Sequence, residues 1–367
     1  MWRGEGARDG HRRGADRGTI LTAPAATDVR LAGLTTLRVG GPAKKLITVD
    51  TEAELVQTVR DADTNGEPVL IIGGGSNLLI DDAGFDGTVI KINTRGRDAD
   101  VSSCSGTTLT LAAGEPWDDL VAETVDQGWS GLEALSGIPG LVGATPIQNV
   151  GAYGAEISQV LAGVRTYDRK LAQQKTFAMA DCGFGYRWSR FKAERDRYLI
   201  LTVTLQLPLA DLSAPIRYAQ LAGALGVVVG TRVDAHAVRE AVLELRRSKG
   251  MVLDVADHDT WSAGSFFTNP IISAETAAKL PEAAPRFGQP DGSIKTSAGW
   301  LIEHAGFKKG YGDPPATLSS KHTLALTNRG SATAADLIAL AREIRAGVQD
   351  RFGIELVPEP NLINCEL

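Results

Sequence analysis

The sequence predicts a mixed chain of helices and strands, α+β or α/β rather than all-helical, divided into at least two domains. Three observations lead there. Short β-branched runs and amphipathic helical stripes occur in both halves, 367 residues exceed the usual span of one core, and glycine-rich segments interrupt the regular patterns. The composition, 43% hydrophobic and 22% charged, is that of an ordinary globular protein. No run of about 18 apolar residues could span a bilayer, so no membrane partner is expected. No internal repeat of solenoid period is present.

The elements follow in order. Residues 1–18 carry Arg3, Arg8, Arg12, Arg13 and Arg17 among glycines, diluted by Glu5, Asp9 and Asp16, without the apolar stretch of a signal peptide. They read as a disordered tail or a misassigned start, and residues 1–28 are set outside the fold with no function. Thr51-Glu52-Ala53-Glu54 has the form of a capping box opening a helix with Leu55, Val56 and Val59 on one stripe. Val69-Leu70-Ile71-Ile72 reads as a buried strand that stops at three glycines, and residues 89–92 and 108–111 as further strands. Residues 115–127 predict a helix with Trp117, Leu120, Val121 and Val125 inward, closed by Gly128. Regularity is then lost over 136–154, where glycine, proline and small residues suggest a ligand-shaped loop. Residues 199–205 predict a strong strand, and 234–248 an amphipathic helix at a lobe boundary. A helix at 298–304 closed by Gly306, a strand at 323–327, and a helix from Thr333 to Gly353 bring the chain to an extended tail.

Composition and motif spacing exclude several functions. Lysine plus arginine number 38 against 44 aspartate plus glutamate, a net charge of −6, so nucleic acid is not an expected partner. Cys104, Cys182 and Cys365 offer neither a disulfide framework nor C-x-x-C spacing, which fits a reducing, cytoplasmic location. His11, His236, His258, His304 and His322 lack metal-ligand spacing, so no metal is expected. Ser76 lacks the G-x-S-x-G elbow of a serine hydrolase because Leu78 replaces its last glycine.

Two glycine segments carry the binding chemistry. Gly73-Gly74-Gly75-Ser76-Asn77 follows a strand and lets backbone N–H groups approach a ligand, although it matches neither the G-x-G-x-x-G nor the G-x-x-x-x-G-K-[ST] pattern. By itself it fits a structural turn equally well. The second runs through Ser136, Gly137, Ile138, Gly140, Gly143 and Ala144 to Gln148-Asn149-Val150-Gly151-Ala152-Tyr153-Gly154. Two such loops in one lobe point to the phosphates of a nucleotide cofactor, with the Gln148 and Asn149 amides available to a heterocyclic ring. Three polar residues stand among apolar or rigid neighbours: Arg187 after Phe184-Gly185-Tyr186, Ser265 before Phe266-Phe267, and Glu359 between Pro358 and Pro360. Arg187 is read as a carboxylate clamp or a surface arginine, Ser265 as a proton donor or a backbone-bonded serine, and Glu359 as a stiffly held acid or an exposed carboxylate.

Together with Leu37-Arg38-Val39-Gly40-Gly41, Ser136-Gly137-Ile138-Pro139-Gly140, Gly264-Ser265-Phe266-Phe267-Thr268-Asn269-Pro270 and Pro358-Glu359, these segments resemble the UDP-N-acetylenolpyruvoylglucosamine reductase family from about residue 34 to 363. The resemblance implies an α+β fold of the vanillyl-alcohol-oxidase FAD-binding type. Two subdomains, about 29–97 and 98–250, would form an FAD-binding domain, and 251–367 a substrate-binding domain with a C-terminal tail. It implies non-covalent FAD, NADPH as co-substrate, and UDP-N-acetylenolpyruvoylglucosamine as the group reduced. It assigns Arg187 and Glu359 to stabilising an enolate and Ser265 to proton donation. Tyr218, Lys249 and Asn269 fall at positions contacting substrate or nucleotide, Tyr218 suggesting the form of the family with an extra tyrosine loop. A monomer is expected. Departures are Thr35-Thr36-Leu37 and Gly143-Ala144, where the family usually has Asn-Thr-Phe and a double glycine. The alternatives are an FAD-dependent oxidase of the same fold and a catalytically silent nucleotide-sugar-binding regulator.

Overall fold

The computed structural model describes residues 24–367. The expected tail over 1–28 lies largely outside the described residues, but 24–28 do not stand clear of the fold. Ala26 exchanges backbone hydrogen bonds of 2.9 and 2.8 Å with Leu46, and the Asp28 N–H donates to the Ala43 carbonyl at 3.1 Å. Backbone pairing with a strand edge ties this stretch down, and side-chain composition gives no sign of it.

Four strands form the first sheet, in the order Val29–Arg30, Pro42–Val49, Phe85–Ile92 and Val69–Ile72. The first pair is antiparallel and the other two are parallel. Helix Glu52–Thr64 supplies the crossover between parallel strands, burying Leu55, Thr58, Val59 and Ala62. The Thr51 hydroxyl caps it by accepting from the Glu54 N–H at 3.2 Å, while the Glu54 carboxylate accepts from the Asp50 N–H at 3.2 Å. The capping box is therefore displaced by one residue from its reciprocal form.

The second sheet is antiparallel, in the order Gln173–Ala178, Leu161–Asp168, Tyr198–Leu207, Gly106–Ala112 and Arg97–Ser102. Its central strand contains the predicted 199–205 run. The two edge strands, Arg97–Ser102 and Gln173–Ala178, are almost wholly exposed, so they lack the alternation that would reveal them in sequence. Helix Trp117–Asp126 buries Trp117, Leu120, Val121 and Val125, and Gly128 leaves it at φ 67° in the left-handed region. Ile47, Val49 and Ile90 of the first sheet share one core with Leu109, Val164 and Val203 of the second.

Helix Ala235–Arg247, capped by the Asp234 carboxylate on the Ala237 N–H at 2.8 Å, packs against helix Trp117–Asp126. Beyond it lie a three-stranded ribbon, Ile271–Ile272, Ile294–Lys295 and Phe287–Gly288, and a pair, Ala316–Leu318 with Leu326–Asn328. The last pair begins later than the predicted 323–327 strand because Ala325 N–H turns back to the His322 carbonyl at 3.2 Å.

Helix Ala334–Phe352 has a full capping box from Thr333 and Asp336, and ends at Gly353 with φ 67°. Asp82, from the first sheet region, adds two further caps by accepting from the N–H groups of Ala334 (2.9 Å) and Ala335 (3.0 Å). The C-terminal region is not self-contained. Leu37, Val39 and Leu79 sit in its core, and the tail returns as Asn361–Ile363, pairing in parallel with Leu78–Ile80 beside the triple glycine. Among the described residues no helix is long and apolar enough to cross a membrane.

Candidate active site

The two glycine segments meet backbone to backbone. A Cβ on Gly74 would stand 2.8 Å from the Gly140 Cα, and one on Gly75, at φ 62°, would stand 1.8 Å from the Leu34 carbonyl oxygen. No side chain fits between these loops. Gly140, at φ 123°, lies so close to Ser76 that a Cβ would approach its hydroxyl to 2.8 Å. Gly74→Ala is expected to force the loops apart at a cost of about 1–3 kcal/mol. The check is the flavin content of the purified protein and its FAD affinity, expected to fall about tenfold or more; wild-type retention would mean that this contact does not shape the cradle.

The loops line a cavity of about 790 Å³, within the size range of small-molecule sites. Gly73, Gly74, Gly75, Ser76, Asn77, Ile138, Gly140, Gly143, Ala144, Gln148 and Gly151 line it, as do Arg187, Ser265 and Glu359. The Asn77 amide donates to Gln148 Oε1 at 2.6 Å, holding one loop to the other. Glycines on the wall, the half-buried Arg246 and a hollow of this size fit a dinucleotide held largely by main-chain donors.

Other expected cofactor contacts serve the frame of the site. The buried Ser136 hydroxyl donates to the Glu133 carbonyl at 2.7 Å, and the Gly137 N–H donates to Asp118 Oδ1 at 2.6 Å. The Asn149 amide is used within the protein, donating to Glu156 (2.8 Å) and the Gly185 carbonyl (3.1 Å) and accepting from the Ser158 N–H (3.2 Å). It therefore positions the loop, and only Gln148 of the expected amide pair lines the cavity. Tyr153 and Gly154 form the tip of the hairpin joining Gly151–Ala152 to Ala155–Glu156, in which Ala152 pairs with Ala155.

Arg187, Glu359 and Ser265 come from three separate stretches of chain. Arg187 is held at φ 50°, an uncommon conformation for a residue with a side chain, and its Nη2 donates to the Gly151 carbonyl at 2.7 Å. Its Nε lies 2.9 Å from Glu359 Oε1, an ion pair in which the N–H is not aligned for a hydrogen bond. The Glu359 N–H donates to the Phe266 carbonyl at 2.8 Å and Phe267 bridges Pro358, which brings the segment of Ser265 alongside that of Glu359. Burial pushes the Glu359 carboxyl above the usual glutamate range, with Arg187 and Lys192 pulling the other way.

Tyr218 and Lys249 gather with Tyr153. The two tyrosine rings meet edge to face at 5.7 Å, and Lys249 Nζ lies 5.7 Å from the Tyr153 ring and donates to Gln220 at 2.6 Å. Burial and Lys249 and Lys309 push His322 down to about 4, so it stands neutral beside them. Asn269 belongs to a different neighbourhood: its Oδ1 accepts from the Ala298 N–H at 2.9 Å and its N–H donates to the Tyr186 hydroxyl at 3.3 Å.

Three residues of the site escaped sequence reading. Tyr186 supports Asn269, Lys192 donates to the Arg187 carbonyl at 3.2 Å, and Arg246 lines the cavity. Lys192 and Arg246 lie near the ends of helices, where cations ordinarily complement the dipole, so nothing in sequence sets them apart. Of the two departures, Ala144 lines the cavity, whereas Leu37 is buried in the C-terminal core.

Residues 43–170 match the family model of an FAD binding domain, and residues 256–363 match that of the UDP-N-acetylenolpyruvoylglucosamine reductase C-terminal domain. A UDP-N-acetylenolpyruvoylglucosamine reductase of Cutibacterium acnes is 57% identical over 95% of this chain and 93% of its own. The chain belongs to the UDP-N-acetylenolpyruvoylglucosamine reductase family. The reductase of that name from Streptomyces coelicolor is 56% identical over 93% of this chain and 90% of its own. That of Mycobacterium ulcerans is 50% identical over 96% and 99% respectively. The crystal structure of the Thermus caldophilus reductase superposes with a TM-score of 0.64 at 26% identity, covering 93% of this chain and 99% of that one. The fold of this reductase-family chain is thus the expected FAD-binding type with the family's own C-terminal domain.

Proposed function

We propose that this chain reduces UDP-N-acetylenolpyruvoylglucosamine to UDP-N-acetylmuramate with NADPH as electron donor and non-covalent FAD as carrier, a step of peptidoglycan precursor synthesis. The observation that carries the reading is the Arg187–Glu359 pair on the glycine-lined cavity, which Ser265 also lines. In this reading residues 29–250 hold the cofactor and 251–367 close over the sugar nucleotide, in a cytoplasmic monomer.

FAD, when bound, supplies hydride acceptance from NADPH and hydride donation to the substrate. Gly73, Gly74, Gly75 and Gly140 offer it a close main-chain surface, aided by Ser76, Asn77 and Gln148. Hydride addition at the terminal carbon of the enolpyruvyl group shifts the double-bond electrons toward its carboxylate. Arg187 presents a guanidinium to that developing charge, and the Glu359 carboxyl, biased by burial toward its neutral form, can donate a hydrogen bond to it. Ser265 delivers the proton to the adjacent carbon, completing the saturated lactyl ether. Tyr218 and Lys249 serve the nucleotide, Lys249 by its charge, and Asn269 the substrate through its place beside Tyr186.

A single spectroscopic titration tests the proposal. The purified protein is expected to be yellow, to bleach with NADPH, and to regain colour on adding the enolpyruvyl sugar nucleotide much faster than in oxygen alone. Equal reoxidation rates would leave an oxidase of the same fold, and bleaching with no recovery a silent binding protein.

A further inference from the structure

Arg187 stands in a turn whose backbone ordinarily suits another residue. Gly185 and Trp188 close that turn by exchanging main-chain hydrogen bonds of 3.0 and 3.2 Å, which makes Arg187 the third of its four residues. With φ 50° there, it occupies a position that usually falls to glycine or asparagine. A residue with a larger side chain keeps such a conformation only where its surroundings fix it.

Two of the fixings come from the second glycine segment. The Asn149 amide donates to the Gly185 carbonyl at 3.1 Å, and the Gly151 carbonyl accepts from Arg187 Nη2 at 2.7 Å. The third comes from Lys192, whose Nζ donates to the Arg187 carbonyl at 3.2 Å. Lys192 is itself anchored. It lies in the short helix Arg190–Ala193, its N–H donates to the capping Ser189 hydroxyl at 3.2 Å, and that hydroxyl donates to the Ile147 carbonyl. The half-buried lysine thus turns back onto the Arg187 peptide at the cavity wall instead of extending into water. Ordering a long, flexible side chain and drawing its hydrated ammonium group inward both cost free energy, which the charge-assisted bond to the carbonyl offsets.

We infer that Lys192 is a positioning residue for the reduction: its ammonium group holds the Arg187 peptide in the left-handed form from which the guanidinium reaches Glu359 and the enolpyruvyl carboxylate together. The inference rests on the proposed reaction. Without that bond the turn is free to relax toward negative φ, which re-aims the Arg187 side chain. The test follows anaerobic reoxidation of the reduced flavin by the enolpyruvyl sugar nucleotide, per bound flavin and across substrate concentrations. It compares wild-type protein with Lys192→Met, Lys192→Arg, Arg187→Met and the double variant Lys192→Met with Arg187→Met.

Lys192→Met is expected to slow reoxidation at saturating substrate about tenfold, the scale of one charge-assisted hydrogen bond, with half-saturation changed much less. Lys192→Arg keeps donors for the carbonyl and is expected to recover most of that loss. The double variant is expected to match Arg187→Met alone, because a residue acting through Arg187 then has nothing left to position. Losses that multiply overturn the inference and give Lys192 a separate effect of charge on Glu359, which lies within its electrostatic reach. A wild-type rate in Lys192→Met, or a fall confined to its flavin content, overturns it as well. If Lys192→Met does not fold, Lys192→Ala carries the same criteria. Wild-type protein that binds FAD but is not reoxidised by the sugar nucleotide refutes the proposed reaction itself, an outcome distinct from an unchanged variant.

Discussion

Ser265→Ala is expected to leave reduction of the bound flavin by NADPH at its wild-type rate and to slow product formation by about 10²-fold or more, the lower range for loss of a positioned general acid. The separation of the two half-reactions is the informative part. Ser265 touches neither glycine loop through a hydrogen bond, and its main chain is held by neighbours that survive the substitution. Phe266 N–H donates to the Leu324 carbonyl at 2.7 Å, its carbonyl accepts from Glu359, and both Phe266 and Phe267 are buried. Removing one hydroxyl thus deletes a proton source and leaves its frame standing. Rapid mixing of reduced enzyme with the enolpyruvyl sugar nucleotide reads the second half-reaction directly. Unchanged turnover would acquit Ser265, and a flavin that no longer accepts electrons from NADPH would show that the substitution disturbed the cavity.

Arg187→Lys is expected to lower kcat by about 10²–10³-fold, the scale of losing one positioned donor to a developing negative charge. Charge is kept in this variant and geometry is not. The guanidinium spans two partners at once, Glu359 through Nε and the Gly151 carbonyl through Nη2, and an ammonium group cannot hold both while presenting a planar fork to a carboxylate. In Arg187→Met, by contrast, Glu359 would lose its closest cation, so its carboxyl should move still further above the usual glutamate range. The acid therefore stays protonated to higher pH, and any limb of the rate profile that follows its ionisation is expected to shift upward. A kcat within a few-fold of wild type, with only KM raised, would reduce Arg187 to a binding contact whose effect is equal in ground and transition states.

These two residues show where sequence reading stops. Glu359 between two prolines and Ser265 between glycine and two phenylalanines are conspicuous, yet they are distant in the chain and no periodicity links them. Their two segments are brought together by an antiparallel bridge between Phe267 and Pro358, made through main-chain groups. Asn149 shows the converse. Its amide looked as available as that of Gln148, but burial and three hydrogen bonds commit it to shaping the loop.

The sequence by itself determined the central strands, the helices at 52–64, 117–126, 235–247, 298–304 and 334–352, and the two glycine loops. Periodicity, capping residues and the steric freedom of glycine act over a few positions, so they can be read locally. Its ordered motifs also carried the family resemblance. Only the tertiary structure decided that residues 24–28 join the first sheet, that the tail strand Asn361–Ile363 returns to Leu78–Ile80, and that Leu37 belongs to the C-terminal core. It also decided that Arg246 ends on the cavity wall without a carboxylate of its own among the described residues. Long-range pairing and burial depend on which surfaces meet, and a strand edge or a surface cation carries the same local signal whether or not it meets one.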